Sequence, residues 1–307
     1  MNWPKKATVV EVGPRDGFQN EHGVITTDEK VEIIDLLSGT GLSRIEATSF
    51  THPKAIPQLA DAGDVMSRIK RKEGVEYEAL IPNLKGLDRA IEAKVDSVAT
   101  VVSASETHNM NNVRMTIADS MKQFEQVVRI AHENSIRVTA GLACVFGCSF
   151  EGWVRPEKVV EIVDAFLAMG VDEVSLGDTV GLGDPSHVAA VLRQVREKTG
   201  DVPLRLHFHN SRGTGLANVY AGLEEGVTIF DSSIAGLGGC PFAPGATGNI
   251  ATADLVNMLE SMGVDTGVDL RKVIECEKRV REILGREMPS EVLKAGPTPW
   301  ALAKPAA

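Results

Sequence analysis

The sequence predicts an α/β fold, a (β/α)8 TIM barrel with one additional C-terminal helix. Eight short runs rich in β-branched residues alternate with longer amphipathic segments over roughly 250 residues, the usual size of such a barrel. The segment after the first run, Gly13–Gly17, lacks the G-x-G-x-x-G pattern of a dinucleotide-binding open sheet. A composition of 43% hydrophobic and 24% charged residues provides enough apolar material for one large core.

The predicted strands and helices follow from two periodicities. Between the strands, apolar residues such as Val31, Ile34 and Leu37 recur every three or four positions, so each helix can bury one face on the barrel. Oxygen-bearing residues or proline at 27–30 and 184–186 mark two helix starts. The strands are predicted at residues 8–12, 44–48, 77–81, 97–102, 137–143, 173–177, 204–209 and 228–232.

The C-terminal part of the chain extends beyond the eightfold count. Residues 249–262 are predicted as the last barrel helix and residues 270–284 as a further amphipathic helix. Residues 294–307 are rich in proline and alanine, and we expect them to fray. We therefore predict one catalytic TIM-barrel domain over residues 1–307, with residues 263–307 as an extra helical segment and tail.

Charge and composition exclude several function classes. The formal net charge is −10, from 32 Lys and Arg against 42 Asp and Glu, and it disfavours general binding of a phosphate backbone. No apolar run reaches membrane-spanning length. Four scattered cysteines do not form a disulfide framework. We expect a cytoplasmic protein that binds neither nucleic acid nor membranes.

The clearest chemical signal is the histidine pair in the seventh predicted strand. His207 and His209 are two residues apart, so their imidazoles project to the same side of the strand. With a carboxylate such as Asp16, they would form a mixed nitrogen and oxygen site that suits Mg²⁺ or Mn²⁺ as well as Zn²⁺. The alternative is a pair of polar core residues that hydrogen-bond to the backbone.

Other polar residues fall at the same end of the predicted barrel, where TIM-barrel active sites lie. Arg15 follows the first strand beside Asp16, and it could stabilise negative charge on a substrate oxygen; a surface ion pair at a turn is the alternative. Glu46 and Asp178 could accept hydrogen bonds that orient Arg15 or a histidine, but a purely structural role is equally consistent with the pattern.

A loop rich in glycine and proline follows the eighth strand, at residues 236–249, and contains Cys240. Its glycines would allow it to move over a ligand, and the absence of a G-x-x-x-x-G-K-[ST] order argues against nucleotide triphosphates. Cys240 near a cation could take part in proton transfer, or it could be an idle surface thiol. Cys144 and Cys148 are interpreted as small apolar core residues.

These motifs resemble the 3-hydroxy-3-methylglutaryl-CoA lyase (hydroxymethylglutaryl-CoA lyase) family of the metallolyase TIM-barrel superfamily, which also contains isopropylmalate synthase. The resemblance is colinear from about residue 8 to about residue 285. The loop around Cys240 is specific for the lyases, whereas Arg15–Asp16 and the histidine pair belong to the wider superfamily. The stretches that carry it are 10–20, 45–50, 81–86, 175–179, 207–209, 231–242 and 248–249.

The resemblance implies a retro-Claisen cleavage of a 3-hydroxyacyl-CoA, as in leucine degradation, by a homodimer that uses Mg²⁺ or Mn²⁺. It implies that Arg15 contacts the thioester oxygen, that Asp178 lies near the substrate hydroxyl and that Cys240 is the reactive loop thiol. The implied metal ligands are Asp16, His207, His209 and Asn249; the implied catalytic residues are Arg15, Glu46, Asp178, His207 and Cys240; the implied substrate-binding residues are Arg15, Asn20, Thr179 and Arg212.

One departure from the family pattern bears on the substrate. Where the family continues its histidine pair with Asp-Thr-Tyr-Gly, this chain has Asn210, Ser211 and Arg212 before Gly213. Arg212 could bind a differently placed substrate carboxylate, accommodate a longer acyl group or contact the CoA phosphates. The predicted substrate is 3-hydroxy-3-methylglutaryl-CoA. The alternative substrate is citramalyl-CoA. The alternative functions are an acetyl-CoA-dependent Claisen condensation and ligand binding by a non-catalytic metal-binding module.

Overall fold

A computed structural model, which describes residues 3–239 and 248–302, contains a closed parallel barrel with strand order β1 to β8. The TIM-barrel prediction is confirmed, and every strand end lies within one residue of the predicted one. The strands are β1 Thr8–Glu11, β2 Arg44–Ser49, β3 Glu76–Leu80, β4 Ser97–Ser103, β5 Arg137–Ala143, β6 Glu173–Asp178, β7 Leu204–Phe208 and β8 Ile229–Ser232.

Eleven α-helices occur within the described residues, three more than the eight expected for the barrel alone. The additional ones include α4, which lies between β4 and the longer α5, and two helices after the last barrel helix. The helices are α1 Thr27–Ser38, α2 Ala62–Arg68, α3 Leu84–Glu92, α4 Glu106–Val113, α5 Ile117–Glu133, α6 Pro156–Ala168, α7 Pro185–Thr199, α8 Gly215–Glu224, α9 Thr252–Ser261, α10 Leu270–Leu284 and α11 Glu291–Ala295.

Local sequence signals explain the two predicted helix starts. At α1 the capping residue is Thr26, whose hydroxyl accepts from the Glu29 amide while the Glu29 side chain accepts from the Thr26 amide. At α7 Asp184 accepts from the amides of Ser186 and His187, and Pro185 occupies the first turn. These caps satisfy amides that have no partner inside the helix.

The hydrophobic core lies between the barrel and its helices. The inner faces of the helices bury residues such as Ile33, Ile34 and Leu37 of α1, which confirms the predicted periodicity. The strands are nearly completely buried, and charged side chains of several strands point into the barrel. Parallel closure brings the C-terminal ends of all eight strands to one rim, where the candidate site lies.

The C-terminal region differs from the sequence prediction at its two ends. Helix α10 spans Leu270–Leu284 as predicted, but α9 begins at Thr252, because Asn249 pairs instead with His209 in an isolated bridge. The expectation of fraying from residue 294 is wrong as far as residue 302: a helical turn at Pro299–Ala301 packs on α9 and buries Ala301. In the described part of the chain, no helix is long and apolar enough to cross a bilayer.

Candidate metal centre and active site

The first element of the site is a single π-helical turn, Gly13–Gly17, directly after β1. The amides of Arg15 and Asp16 both donate to the Val12 carbonyl, at 3.1 and 2.7 Å, and this turn places the two side chains at the barrel rim. A Cβ atom at Gly13 would lie 2.7 Å from Glu11 Oε1 and from Ile234 Cγ2, so only glycine fits at this position.

Asp16, His207 and His209 come together as the sequence analysis expects. One potential ligand atom from each residue lies within 4.8 Å of the other two, which is close enough to hold one metal ion. His209 Nε2 is 3.9 Å from Asp16 Oδ2, and the two imidazole centroids are 5.1 Å apart. A carboxylate with two imidazoles is a donor set for a divalent cation.

Asn249 completes this group from the segment that follows β8. Its Nδ2 donates to Asp16 Oδ2 at 2.6 Å and to the Leu237 carbonyl at 3.0 Å. Its Oδ1 is buried and accepts no hydrogen bond from the described residues, and the same lack of a partner applies to His209 Nδ1. A buried carbonyl oxygen without a donor is costly, so the orphaned Asn249 Oδ1 fits a cation as its missing partner.

The protonation states of Asp16 and His209 at neutral pH also suit a cation. Burial works against ionisation of Asp16, but Arg15 and the two histidines keep the pKa of its carboxyl below the ordinary value. Burial and the neighbouring His207 lower the pKa of His209 to about 4, so its imidazole is neutral and able to donate a lone pair. Burial opposes protonation of His207 too, yet its hydrogen bond to Asp231 raises the pKa of this imidazole above the usual value.

Arg15 is held between two carboxylates. Its Nε donates to Glu46 Oε2 and its Nη1 to Asp16 Oδ1, each at 2.7 Å. Burial and the nearby Glu78 raise the pKa of Glu46 to about 7 despite the Arg15 contact. Because two of its nitrogens are fixed in this way, the Arg15 guanidinium has a defined orientation and retains further N–H donors.

Sequence reasoning missed a buried ion-pair network inside the barrel beneath the site. Arg205 contacts three carboxylates, those of Asp231, Glu78 at 2.7 Å and Glu173 at 3.7 Å. Asp231 Oδ2 is in turn 3.0 Å from His207 Nδ1. The network therefore reaches a predicted metal ligand. Its members are Arg44, Glu78, Glu173, Arg205 and Asp231.

A sequence signal for this network does exist. Arg205 and His207 lie in β7 and His209 directly follows it, and their alternate spacing directs all three side chains to one face. A charged residue two positions before a candidate ligand pair, in an otherwise apolar strand, indicates a polar barrel interior. Arg44 and Glu46 show the same alternation in β2.

Three predicted site residues lie around the loop between β6 and α7. Asp178 is fully buried, and its oxygens accept from the backbone amides of Leu182 at 2.9 Å and Gly183 at 3.1 Å. Burial raises the pKa of Asp178, although these bonds and His207 oppose the shift. Thr179 accepts from the Cys144 amide at 2.9 Å. Arg212 is exposed, and its Nη1 donates to the carbonyls at residues 180 and 181.

The remaining predicted residues fall into three groups. Asn20 lies beside the π-turn, where its Nδ2 donates to the Asp16 carbonyl at 2.9 Å. Cys240 lies outside the described residues. Cys144 and Cys148 are buried free thiols in the core, in agreement with their interpretation as core residues.

The fold and this group of side chains define a TIM-barrel protein with a candidate divalent-metal centre at its C-terminal rim. Residues 6–280 match the family model described as HMGL-like. The chain therefore belongs to the HMGL-like family, and the resemblance seen in its motifs is confirmed.

The most informative relatives match nearly the whole chain. Hydroxymethylglutaryl-CoA lyase YngG of Bacillus subtilis is 45% identical over 294 residues, which cover 96% of this chain and 98% of that protein. The 3-hydroxy-3-isohexenylglutaryl-CoA/hydroxy-methylglutaryl-CoA lyase of Pseudomonas aeruginosa is 42% identical over 295 residues, or 96% and 98%. The structure of an HMG-CoA lyase from Acinetobacter baumannii in complex with coenzyme A and 3-methylmalate has a TM-score of 0.93 and 43% identity, covering 97% of this chain and 98% of that one.

Proposed function

We propose that this protein is a metal-dependent carbon–carbon lyase that cleaves 3-hydroxy-3-methylglutaryl-CoA to acetyl-CoA and acetoacetate. The observation that carries the proposal is the grouping of Asp16, His207 and His209 at the barrel rim, beside the orphaned oxygen of Asn249. The identity of 45% to a hydroxymethylglutaryl-CoA lyase over nearly the full length supports the substrate.

Asp16, His207, His209 and Asn249 would hold Mg²⁺ or Mn²⁺, with Zn²⁺ as a further candidate. A cation bound there would lower the pKa of a substrate hydroxyl and neutralise charge on the products. Asp231 keeps the proton of His207 on Nδ1, at 3.0 Å, so that Nε2 presents a lone pair. The neutral state of His209 at neutral pH serves the same purpose.

The chain's own residues supply the other parts of a retro-Claisen cleavage. A base removes the proton of the 3-hydroxyl, the C2–C3 bond breaks, and its electron pair remains on the acetyl-CoA enolate, which takes a proton at C2. Arg15, oriented by Glu46, is the donor for the thioester oxygen on which the enolate charge develops. Asp178 or a histidine is the predicted acceptor of the hydroxyl proton, and Cys240 or a histidine is the predicted donor to C2.

Asn20, Thr179 and Arg212 are proposed to bind the substrate. Arg212 is exposed, and its two backbone contacts use Nη1 alone. A guanidinium has five N–H donors, so an acyl carboxylate or a CoA phosphate could be held by the others. The Acinetobacter relative, whose structure contains coenzyme A, supports an acyl-CoA as the substrate class.

A second candidate is cleavage of a related 3-hydroxyacyl-CoA. One observation favours it: the name of the Pseudomonas relative gives two substrates, 3-hydroxy-3-isohexenylglutaryl-CoA and hydroxymethylglutaryl-CoA. The position of Arg212 next to the β6–α7 loop could adapt the rim to a different acyl group. Citramalyl-CoA remains the alternative that we would compare first.

The experiment is product analysis with purified protein, Mg²⁺ and 3-hydroxy-3-methylglutaryl-CoA, with an EDTA-treated sample as the control. We expect metal-dependent release of acetyl-CoA and acetoacetate in equal amounts. Products that persist in EDTA would refute the metal requirement. Faster cleavage of citramalyl-CoA would refute the assignment of the substrate but leave the reaction class intact.

Four further expectations belong to this proposal. Residues 1–307 would act as one catalytic domain, with residues 263–307 as an additional helical segment. We also propose a cytoplasmic homodimer whose reaction serves leucine degradation. Size-exclusion chromatography with light scattering tests the dimer, and growth of a deletion strain on leucine tests the pathway.

A further inference from the structure

Two buried carboxylates outside the candidate metal centre contact the backbone that carries it. Glu11 lies at the end of β1 and Glu277 lies in α10, and both side chains are completely buried. Neither residue is part of the group that could hold a metal. Burial raises the pKa of each carboxyl to about 7 even though backbone amides donate to both, so their retention in the core calls for an explanation.

Glu11 joins two chain segments through one oxygen. Its Oε1 accepts from the Gly13 amide at 2.7 Å and from the Ile234 amide at 2.7 Å. Gly13 begins the π-turn that carries Asp16, whereas Ile234 begins the short helical turn Ile234–Gly236 after β8. The other oxygen, Oε2, accepts from Thr252 Oγ1 at 2.6 Å at the start of α9.

Glu277 supports the same segment from the other side. Its Oε1 accepts from the amides of Ala235 at 3.1 Å and Ala253 at 3.2 Å. Ala235 has a φ of 58°, a left-handed conformation that alanine adopts only when its surroundings impose it. The hydrogen bond to Glu277 is one of the contacts that favour this conformation.

The segments that these contacts join carry Asp16 and Asn249. The segment after Ile234 leads to Leu237, whose carbonyl accepts from Asn249 Nδ2, and to Gly238. A Cβ atom at Gly17 would lie 2.8 Å from Leu237 Cβ, and one at Gly238 would lie 3.0 Å from the Asp16 carbonyl. The π-turn and the β8–α9 segment, by which we mean residues 233–239 and 248–251, are therefore in direct contact. A small relative shift would separate Asn249 from Asp16.

We propose that Glu11 and Glu277 are positioning residues for the metal centre: Glu11 fixes the π-turn that carries Asp16 against the β8–α9 segment that carries Asn249, and Glu277 fixes that segment from α10. The inference gives the additional C-terminal helix a role in the active site. It rests on the proposed function only in that a divalent cation binds at Asp16, His207, His209 and Asn249.

The test measures Mn²⁺ binding to metal-depleted protein by electron paramagnetic resonance of the free ion, without any substrate. Loss of a side chain that orients a metal ligand lowers metal affinity by about tenfold to a hundredfold, and this loss is the result that we expect for Glu11→Ala. Glu11→Gln should restore affinity close to the wild-type value, because its amide oxygen still accepts from Gly13 and Ile234 and its NH2 group can donate to Thr252 Oγ1.

A matched control separates positioning from general stability. Asp172 also accepts from a backbone amide, that of Val138 at 2.8 Å, but it lies directly before β6, at the opposite end of the barrel. Asp172→Ala should lower the melting temperature and leave Mn²⁺ affinity unchanged. If Glu11→Ala does not fold, Glu277→Ala takes its place, with a loss of Mn²⁺ affinity as the expected result.

The outcomes are distinct. Wild-type affinity in folded Glu11→Ala or Glu277→Ala protein overturns the inference, and so does an equal loss in Asp172→Ala. Failure of the wild-type protein to bind Mn²⁺ refutes the proposed metal centre instead.

Discussion

Replacement of Asp231 by asparagine tests the link between the buried ion-pair network and the proposed metal centre. Asp231 accepts from Arg205 Nε through Oδ1 and from His207 Nδ1 through Oδ2 at 3.0 Å. Asparagine has the same size but offers an NH2 group to one of these two donors. Because Arg205 is always charged, we expect the amide oxygen to face Arg205 and the NH2 group to face His207.

The imidazole must then accept at Nδ1, and its proton moves to Nε2, where a metal ligand needs a lone pair. Changes in groups that fix the tautomer of a ligand lower metal affinity by about tenfold to a hundredfold. Removal of one partner of a buried ion pair destabilises a protein by about 3–5 kcal/mol. We expect the lower end of that range, because Arg205 keeps its contact with Glu78 at 2.7 Å.

The assay is Mn²⁺ titration of the metal-depleted variant at a temperature where circular dichroism shows it to be folded. Glu173→Gln is the matched control: Glu173 is 3.7 Å from Arg205 and ion-pairs with Arg44, but it makes no hydrogen bond to a histidine. It should lose stability with little change in Mn²⁺ affinity. Wild-type affinity in folded Asp231→Asn, or equal losses in the two variants, would refute the tautomer argument.

Three further predictions concern other parts of the site. Gly238→Ala should weaken Mn²⁺ binding, because its Cβ would lie 2.7 Å from Asn249 Nδ2. Gly74 is also left-handed, at φ +81°, but nothing lies within 4 Å of a Cβ atom built there, so Gly74→Ala should only destabilise the fold. Equal Mn²⁺ affinities of the two variants in calorimetric titration would contradict this prediction. Burial raises the pKa of Glu277 from 4.5 to about 7, so its contribution to stability is complete below about pH 4.5 and is lost as the pH rises to about 7. Glu277→Gln should flatten the fall in melting temperature between about pH 4.5 and about pH 7, and an unchanged slope would contradict the assignment. Arg212→Ala should raise KM for the acyl-CoA more than it lowers kcat in steady-state kinetics, and an unchanged KM would remove Arg212 from the substrate site.

The fold was predictable because its signals are local. The alternation of β-branched runs with helical periodicity located all eight strands, and helix α10 begins and ends where its apolar spacing does. The predicted last barrel helix started too early, since nothing in the sequence shows that Asn249 would pair with His209 in a bridge. Likewise, the composition of the C-terminal tail does not reveal that Ala301 is buried.

The site was predictable only in part. The spacing of His207 and His209 reveals a shared direction, and the barrel topology brings Asp16 to the same rim. The contacts of Glu11 and Glu277 could not be predicted in this way. Glu11 and Ile234 are 223 residues apart in sequence, and a glutamate in an apolar strand carries no signal about which distant amides it accepts from.

The buried network also explains why the barrel interior holds so much charge. Five carboxylates, those of Asp16, Glu46, Glu78, Glu173 and Asp231, face the three guanidinium groups of Arg15, Arg44 and Arg205. Arg44 also lies 3.6 Å from the partly buried Glu76, so carboxylates outnumber guanidinium groups in this region. Burial, together with the neighbouring Glu78, raises the pKa of Glu46 to about 7. A cation at Asp16 would compensate the excess of negative charge in this region. The carboxylates that orient Arg15 and His207 would therefore also contribute to metal affinity through their charge.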